Sequence, residues 1–158
     1  MTIKTGDTIP PGELMVMGPE GPKPVTIDEL FNGRKVVMFA VPGAFTPGCS
    51  RTHLPGFVVN ADTIFAKGVD SIICVAVNDA FVMDAWGKAQ NADNIIMAAD
   101  GNGSYTRTLG LELDATGFGM GKRSRRYAMI VDNGKVTYLG VDEREIDKSA
   151  AETVLKNL

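Results

Sequence analysis

At 158 residues the chain is long enough to bury a sizeable core in one domain, and 44% hydrophobic with 22% charged residues is a folded rather than a disordered composition. A formal net charge of -3 argues against general nucleic-acid binding, and no apolar run approaches the roughly 18 residues of a membrane span. Two cysteines make no disulfide framework, and the polar start Thr2-Ile3-Lys4-Thr5-Gly6-Asp7 shows no secretory signal, so a cytoplasmic protein with reduced thiols is expected.

Residues 1–24 are rich in Gly and Pro around one apolar patch, Leu14 to Met17, which suits a short strand or hairpin covering a sheet edge. Thr26-Ile27-Asp28-Glu29 has the form of a capping box and predicts a short helix to Phe31, ended by Asn32-Gly33. Val36 to Val41 is wholly apolar and rich in β-branched residues, the pattern of a strand buried on both faces. Pro42 ends it, Gly43 and Gly48 mark turns, and Pro47 suits the first turn of a helix reaching Lys67. Leu54, Phe57, Val58, Ile64 and Phe65 form its apolar side, and Pro55 should kink it. Ser71 to Val77 is a second buried strand, Ala80 to Gln90 a helix, and Ile95 to Ala99 a third strand. Ser104 is expected to cap a short helix to Leu109. Residues 110–126 read as an irregular loop ending in the basic cluster Lys122-Arg123-Ser124-Arg125-Arg126. Tyr127 to Val131 and Lys135 to Val141 flank Asn133-Gly134, a strong hairpin signal. Ser149-Ala150-Ala151-Glu152 reads as another capping box, opening a helix to Leu158. Parallel units followed by an antiparallel hairpin and a last helix predict an α/β, thioredoxin-like fold, a central mixed sheet flanked by helices in one domain, 1–158.

Cys49 stands where the central strand hands over to a helix N-terminus. First-turn N–H groups lack intrahelical partners and favour negative charge. A thiol so placed can titrate well below its free value of about 8.5 and be a thiolate at neutral pH. A free cysteine is ordinarily an inert core hydrophobe, but Gly48, Ser50, Arg51 and His53 are not core neighbours. Thr46 adds a hydroxyl to the same loop, or is only a helix cap. Cys74 lies in an apolar run and reads as a buried hydrophobe. No C-x-x-C pair is present, which argues against thioredoxin-type disulfide exchange. Cys49 and His53, four apart, leave other readings open: part of a metal site, although structural zinc wants four ligands, or a Cys-His acyl-transfer dyad. A non-catalytic thioredoxin-like binding module is a third.

Pro42-Gly43-Ala44-Phe45-Thr46-Pro47-Gly48-Cys49 matches P-x-x-x-T-x-x-C, the active-site signature of the peroxiredoxins. Together with Thr52 to Phe57, Val77 to Met83 and Arg123 to Ala128, it resembles the type II (fifth-class) subgroup over nearly the whole chain. The resemblance implies a thiol peroxidase reducing hydrogen peroxide and organic hydroperoxides through a Cys49 sulfenic acid. On matching positions, Thr46 hydrogen-bonds the thiolate or the peroxide, and Arg126 stabilises the thiolate and polarises the O–O bond. Pro42 shields the sulfur from water, and His53 orients the arginine. Arg123 is expected in a solvated part of the basic cluster. Some members resolve the sulfenic acid with a cysteine near the C-terminus; none follows Cys74. The resemblance therefore implies a one-cysteine cycle with an external thiol, glutathione with glutaredoxin, and neither metal nor prosthetic cofactor. The alternative is thioredoxin, with Cys74 as possible resolving residue. It also implies a homodimer, with the Ala44-Phe45 turn and the helix carrying Trp86 as contacts.

Overall fold

The centre of the molecule is Lys35–Ala40 (β3), whose apolar residues alternate between two cores. Val37 and Phe39 face one core, and Val36, Met38 and Ala40 the other, as the two-residue period of a strand requires. This computed structural model describes residues 2–158. β3 is flanked by Ser71–Ala76 (β4), parallel to it, and by Arg126–Asp132 (β8), antiparallel to it. Glu13–Gly18 (β1), Gly21–Thr26 (β2), Ile96–Ala99 (β5) and Lys135–Asp142 (β9) complete a mixed seven-stranded sheet in the order β2-β1-β5-β4-β3-β8-β9. The N-terminal hairpin thus covers one edge, as its apolar patch suggested. Ile27–Phe31 (α1) starts at Thr26 with both halves of the capping box made.

Leu54–Ala66 (α2), Ala80–Ala89 (α3) and Ala151–Lys156 (α5) contribute to the core that contains Cys49, whereas Ser104–Leu109 (α4) packs in the other. Helices on both faces of a mixed sheet are the thioredoxin-like arrangement expected from the element order.

Four local expectations change. The region 110–126 is not all loop: Glu112–Asp114 (β6) and Lys122–Ser124 (β7) pair antiparallel around a helical turn at Thr116–Phe118. Its strands are three residues long and mostly polar, so they lack the apolar alternation that betrays a strand. Ser104 does not cap α4; Gly103, at φ 71°, holds that position. The Asp100 carboxylate instead accepts the amides of Tyr105 and Thr106. Ser149 does not cap α5, whose N-cap is Ala150. Finally, the kink expected at Pro55 lies before it. Cys49–His53 is a widened π-helical turn in which the Leu54 amide donates to Cys49 O. Pro55 has no N–H for the carbonyl of Arg51, so the α ladder is already broken there and the preceding turn widens.

Candidate active site

Cys49 is fully buried at the start of that widened turn, against Phe39 and Val41 of the central strand region. The loop before it is tightly made. Thr46 Oγ1 donates to Gly43 O at 2.7 Å, and the Ser50 amide donates to Thr46 O at 2.9 Å. The Ala44 amide donates to Asn78 Oδ1 at 3.0 Å, and Trp86 Nε1 to Ser50 Oγ at 3.0 Å, so α3 and the segment before it fix the loop on both sides of Cys49. Phe45, at the tip, adopts φ 65°, a left-handed conformation that is uncommon for a residue with a side chain.

Arg126 opens β8, and its backbone pairs with Asp142 across the ladder to β9. Its Nη2 donates to Cys49 Sγ at 3.2 Å. Its Nη1 donates to His53 Nδ1 at 2.8 Å. His53 Nε2 donates in turn to the backbone carbonyl of Ser149 at 2.9 Å. A carbonyl can only accept, so the imidazole proton is on Nε2 and the Nδ1 lone pair faces the guanidinium. Burial, with help from the Arg126 charge, pulls the His53 pKa down to about 4, against the smaller opposing effects of Ser149 and Asp142. The ring lies beside the stacked pair Phe39 and Phe57, with centroids 5.1 Å and 5.7 Å from theirs.

Behind Ser149 stands Asp142, the last residue of β9 and itself buried. Its Oδ2 accepts the amides of Asp147 and Ser149 and the Ser149 hydroxyl, at 3.0, 2.8 and 2.7 Å. Its Oδ1 accepts the Lys148 amide at 3.1 Å. Burial would raise the pKa of this carboxyl, but the hydrogen bonds from Ser149, Asp147 and Lys148 outweigh it and leave the group below its usual range.

The expected residues therefore divide. Cys49, His53 and Arg126 come together in one hydrogen-bonded chain. Pro42 lines a cleft of about 250 Å³ with Leu113, Arg125 and Arg126. The Thr46 hydroxyl proton is committed to Gly43 O, so this residue faces incoming groups as an acceptor rather than a donor; it caps no helix amide either. Cys74 is fully buried in β4, in register with Phe39, and burial followed by the nearby Cys49 pushes its pKa well up. Arg123 is not solvated: it is half-buried and its Nε donates to Met120 O at 2.9 Å. Arg125 pairs with the exposed Glu143 at 3.3 Å.

Sequence reasoning missed Asp142 and misread Ser149. An acid at a strand end looks like a solvated turn residue, and Ser149 was absorbed by a capping-box pattern. The acyl-transfer dyad does not survive the geometry, because both ring nitrogens of His53 are engaged away from the thiol. Among the described residues, no three His, Cys, Asp or Glu side chains gather as a metal site.

Chemically, a buried sulfur facing a fixed guanidinium can be held as an anion, and the same cation can meet charge developing on a second atom bonded at the sulfur. The redoxin family profile matches residues 4–155. Peroxiredoxin-2D of Arabidopsis thaliana is 46% identical over 99% of this chain and 98% of its own. Among solved structures, reduced Prx3 from Vibrio vulnificus in complex with H2O2 is 56% identical and superposes with a TM-score of 0.95, covering 98% of each chain. A Plasmodium falciparum antioxidant protein, a 1-Cys peroxiredoxin, is 30% identical with a TM-score of 0.90, covering 99% of this chain and 100% of that one.

Proposed function

Because this chain is a peroxiredoxin of the type II subgroup, and so a thiol peroxidase, we propose that Cys49 is its peroxide-reducing residue and that glutathione with glutaredoxin restores it. The observation that carries this reading is the 3.2 Å contact of Arg126 Nη2 with Cys49 Sγ, in a guanidinium whose other amino group is held by His53. The Cys49 thiolate attacks one oxygen of a hydroperoxide and the O–O bond breaks. The leaving oxygen takes a proton and departs as water or alcohol, and the sulfur becomes a sulfenic acid. Arg126 stabilises both the thiolate and the charge passing to the leaving oxygen. Thr46 Oγ1 accepts a hydrogen bond from the peroxide hydroxyl, and Pro42 keeps bulk water from the sulfur. Glutathione then condenses with the sulfenic acid, releasing water and forming a mixed disulfide. A second thiol, delivered through glutaredoxin, reduces that disulfide to free Cys49.

Two features support an external thiol over Cys74. Burial keeps the Cys74 thiol protonated, and only a thiolate attacks. The 30%-identical Plasmodium protein is described as a one-cysteine enzyme. Two free cysteines fit a reducing, cytoplasmic setting.

Mass spectrometry of peroxide-treated protein tests the cycle. Without added thiol, Cys49 should accumulate as sulfenic and then sulfinic acid, in the wild type and in Cys74→Ser alike. With glutathione, it should carry a mixed disulfide that glutaredoxin removes. A rapidly formed Cys49–Cys74 disulfide would reject this cycle in favour of the thioredoxin-dependent alternative with Cys74 resolving.

A further inference from the structure

We propose that Asp142 is a positioning residue for the peroxidase reaction, setting the Arg126 guanidinium against Cys49 through the 143–149 loop, the Ser149 carbonyl and His53. The inference rests on the reading of Cys49 and Arg126 above, and not on the identity of the reductant.

Between β9 and α5 the chain has no regular structure to hold it. One carboxylate gathers three of its amides, those of Asp147, Lys148 and Ser149, and the Ser149 hydroxyl as well. Four donors on two oxygens leave the segment a single arrangement, in which the Ser149 carbonyl meets His53 Nε2 at 2.9 Å. The fit is reinforced from the sheet side. Tyr138 Oη donates to Lys148 O at 2.6 Å, and a Cβ on Gly140 would collide with that same carbonyl.

The tautomer of His53 is the consequence that matters. With its proton drawn to Nε2 by Ser149 O, the ring offers a bare Nδ1 to Arg126 Nη1. The opposite tautomer would point an N–H at an N–H donor and push the guanidinium from its 2.8 Å contact. Arg126 Nη2 would then leave Cys49 Sγ. Asp142 never touches the sulfur, yet it determines which proton arrangement the site holds. Its backbone pairing with Arg126 means that both ends of the relay are anchored in the same β8–β9 ladder.

Asp142→Asn tests this. The amide presents N–H donors to a nest of N–H groups, so the loop must rearrange while the volume is kept. His53 is the only histidine of the chain, so its two ring-nitrogen resonances are assignable without ambiguity. In the wild type they should report a single Nε2–H tautomer at pH 7. In Asp142→Asn that signature should be lost, the ultraviolet thiolate band of the Cys74→Ser background should fall, and peroxide consumption should slow by roughly tenfold to a hundredfold, the scale of misplacing a catalytic group by about 1 Å. Ser149→Ala, which removes one of the four donors and leaves the carbonyl, should shift the same resonances and slow the reaction a few-fold. It keeps the test open if Asp142→Asn does not fold. Glu145→Gln, on the exposed part of the same loop, removes a like charge and should change nothing. A folded Asp142→Asn, or Ser149→Ala in its place, with wild-type resonances and rate overturns the proposal, as does an equal loss in Glu145→Gln. The ring resonances need neither peroxide nor reductant, so failure here is separable from failure of the proposed cycle.

Discussion

Arg126 and its two neighbours in the basic cluster are alike in sequence and different in space. Arg126 Nη2 meets a buried sulfur, Arg123 braces Met120 O, and Arg125 leans on an exposed glutamate. The expectation that Arg123 is solvated fails because β7 turns it inward toward Gly43, with Nη1 3.3 Å from where a Gly43 Cβ would lie. Arg123 is therefore no innocent comparison for Arg126. Lys122, 58% exposed and paired with Asp114 at 3.4 Å, is the better one. Arg126→Met should slow peroxide reduction by roughly a hundredfold, the scale of losing one preorganised donor, and Lys122→Met should leave the rate unchanged. Stopped-flow rates under excess peroxide decide between them, and equal behaviour of the two variants would remove Arg126 from the reaction.

At the scale of elements, the sequence revealed what has a period. The buried strands, the capping box at Thr26 and the Asn133-Gly134 hairpin rest on patterns of two, three or four residues, and each lies where it was expected. The widened turn at Cys49–His53 was legible only in part: Pro55 announced a break, but not that the break would take the form of an i→i−5 bond one residue earlier. The 143–149 loop was illegible, because its conformation is set by one carboxylate that gathers donors five to seven residues away. That loop and turn together predict a pH response. The His53 pKa falls from 6.5 to about 4 on folding, so below 6.5 the unfolded chain takes up a proton that the folded one refuses. Stability present above pH 6.5 is thus lost as pH falls toward 4. Asp142, held below the usual carboxylate range, gives up its own contribution only at lower pH. Urea unfolding at pH 7 and pH 5 should show a loss of about 2 kcal/mol from His53 in the wild type, and His53→Gln should lack that increment. A matching decline in both proteins would show that other groups carry it.

At the scale of the whole molecule, two exposed phenylalanines lie on segments that meet beside the site. Phe45 is 56% exposed on a strained turn, and Phe81 is 64% exposed at the start of α3. The segments that carry them are joined, because Asn78, just before α3, accepts the Ala44 amide. Trp86 is not among the exposed residues; it is fully buried and braces Ser50, so a dimer contact on its helix would have to use Phe81 instead. A left-handed backbone at Phe45 costs of order 1–3 kcal/mol, and its ring, tilted against Trp86 with centroids 6.4 Å apart, still leaves the residue 56% exposed. A second copy of the chain, offering the same two rings across a two-fold axis, would bury both and would rigidify the loop that carries Thr46 and Cys49. We therefore propose homodimerisation through this face, which the family resemblance implied and which would couple assembly to the active-site loop. Phe81→Glu should convert a dimer to a monomer in sedimentation at micromolar concentration, and should lower peroxidase activity through the loosened loop while leaving the His53 resonances in place. A wild type that sediments as a monomer, or a Phe81→Glu variant that remains a dimer, would move the interface elsewhere.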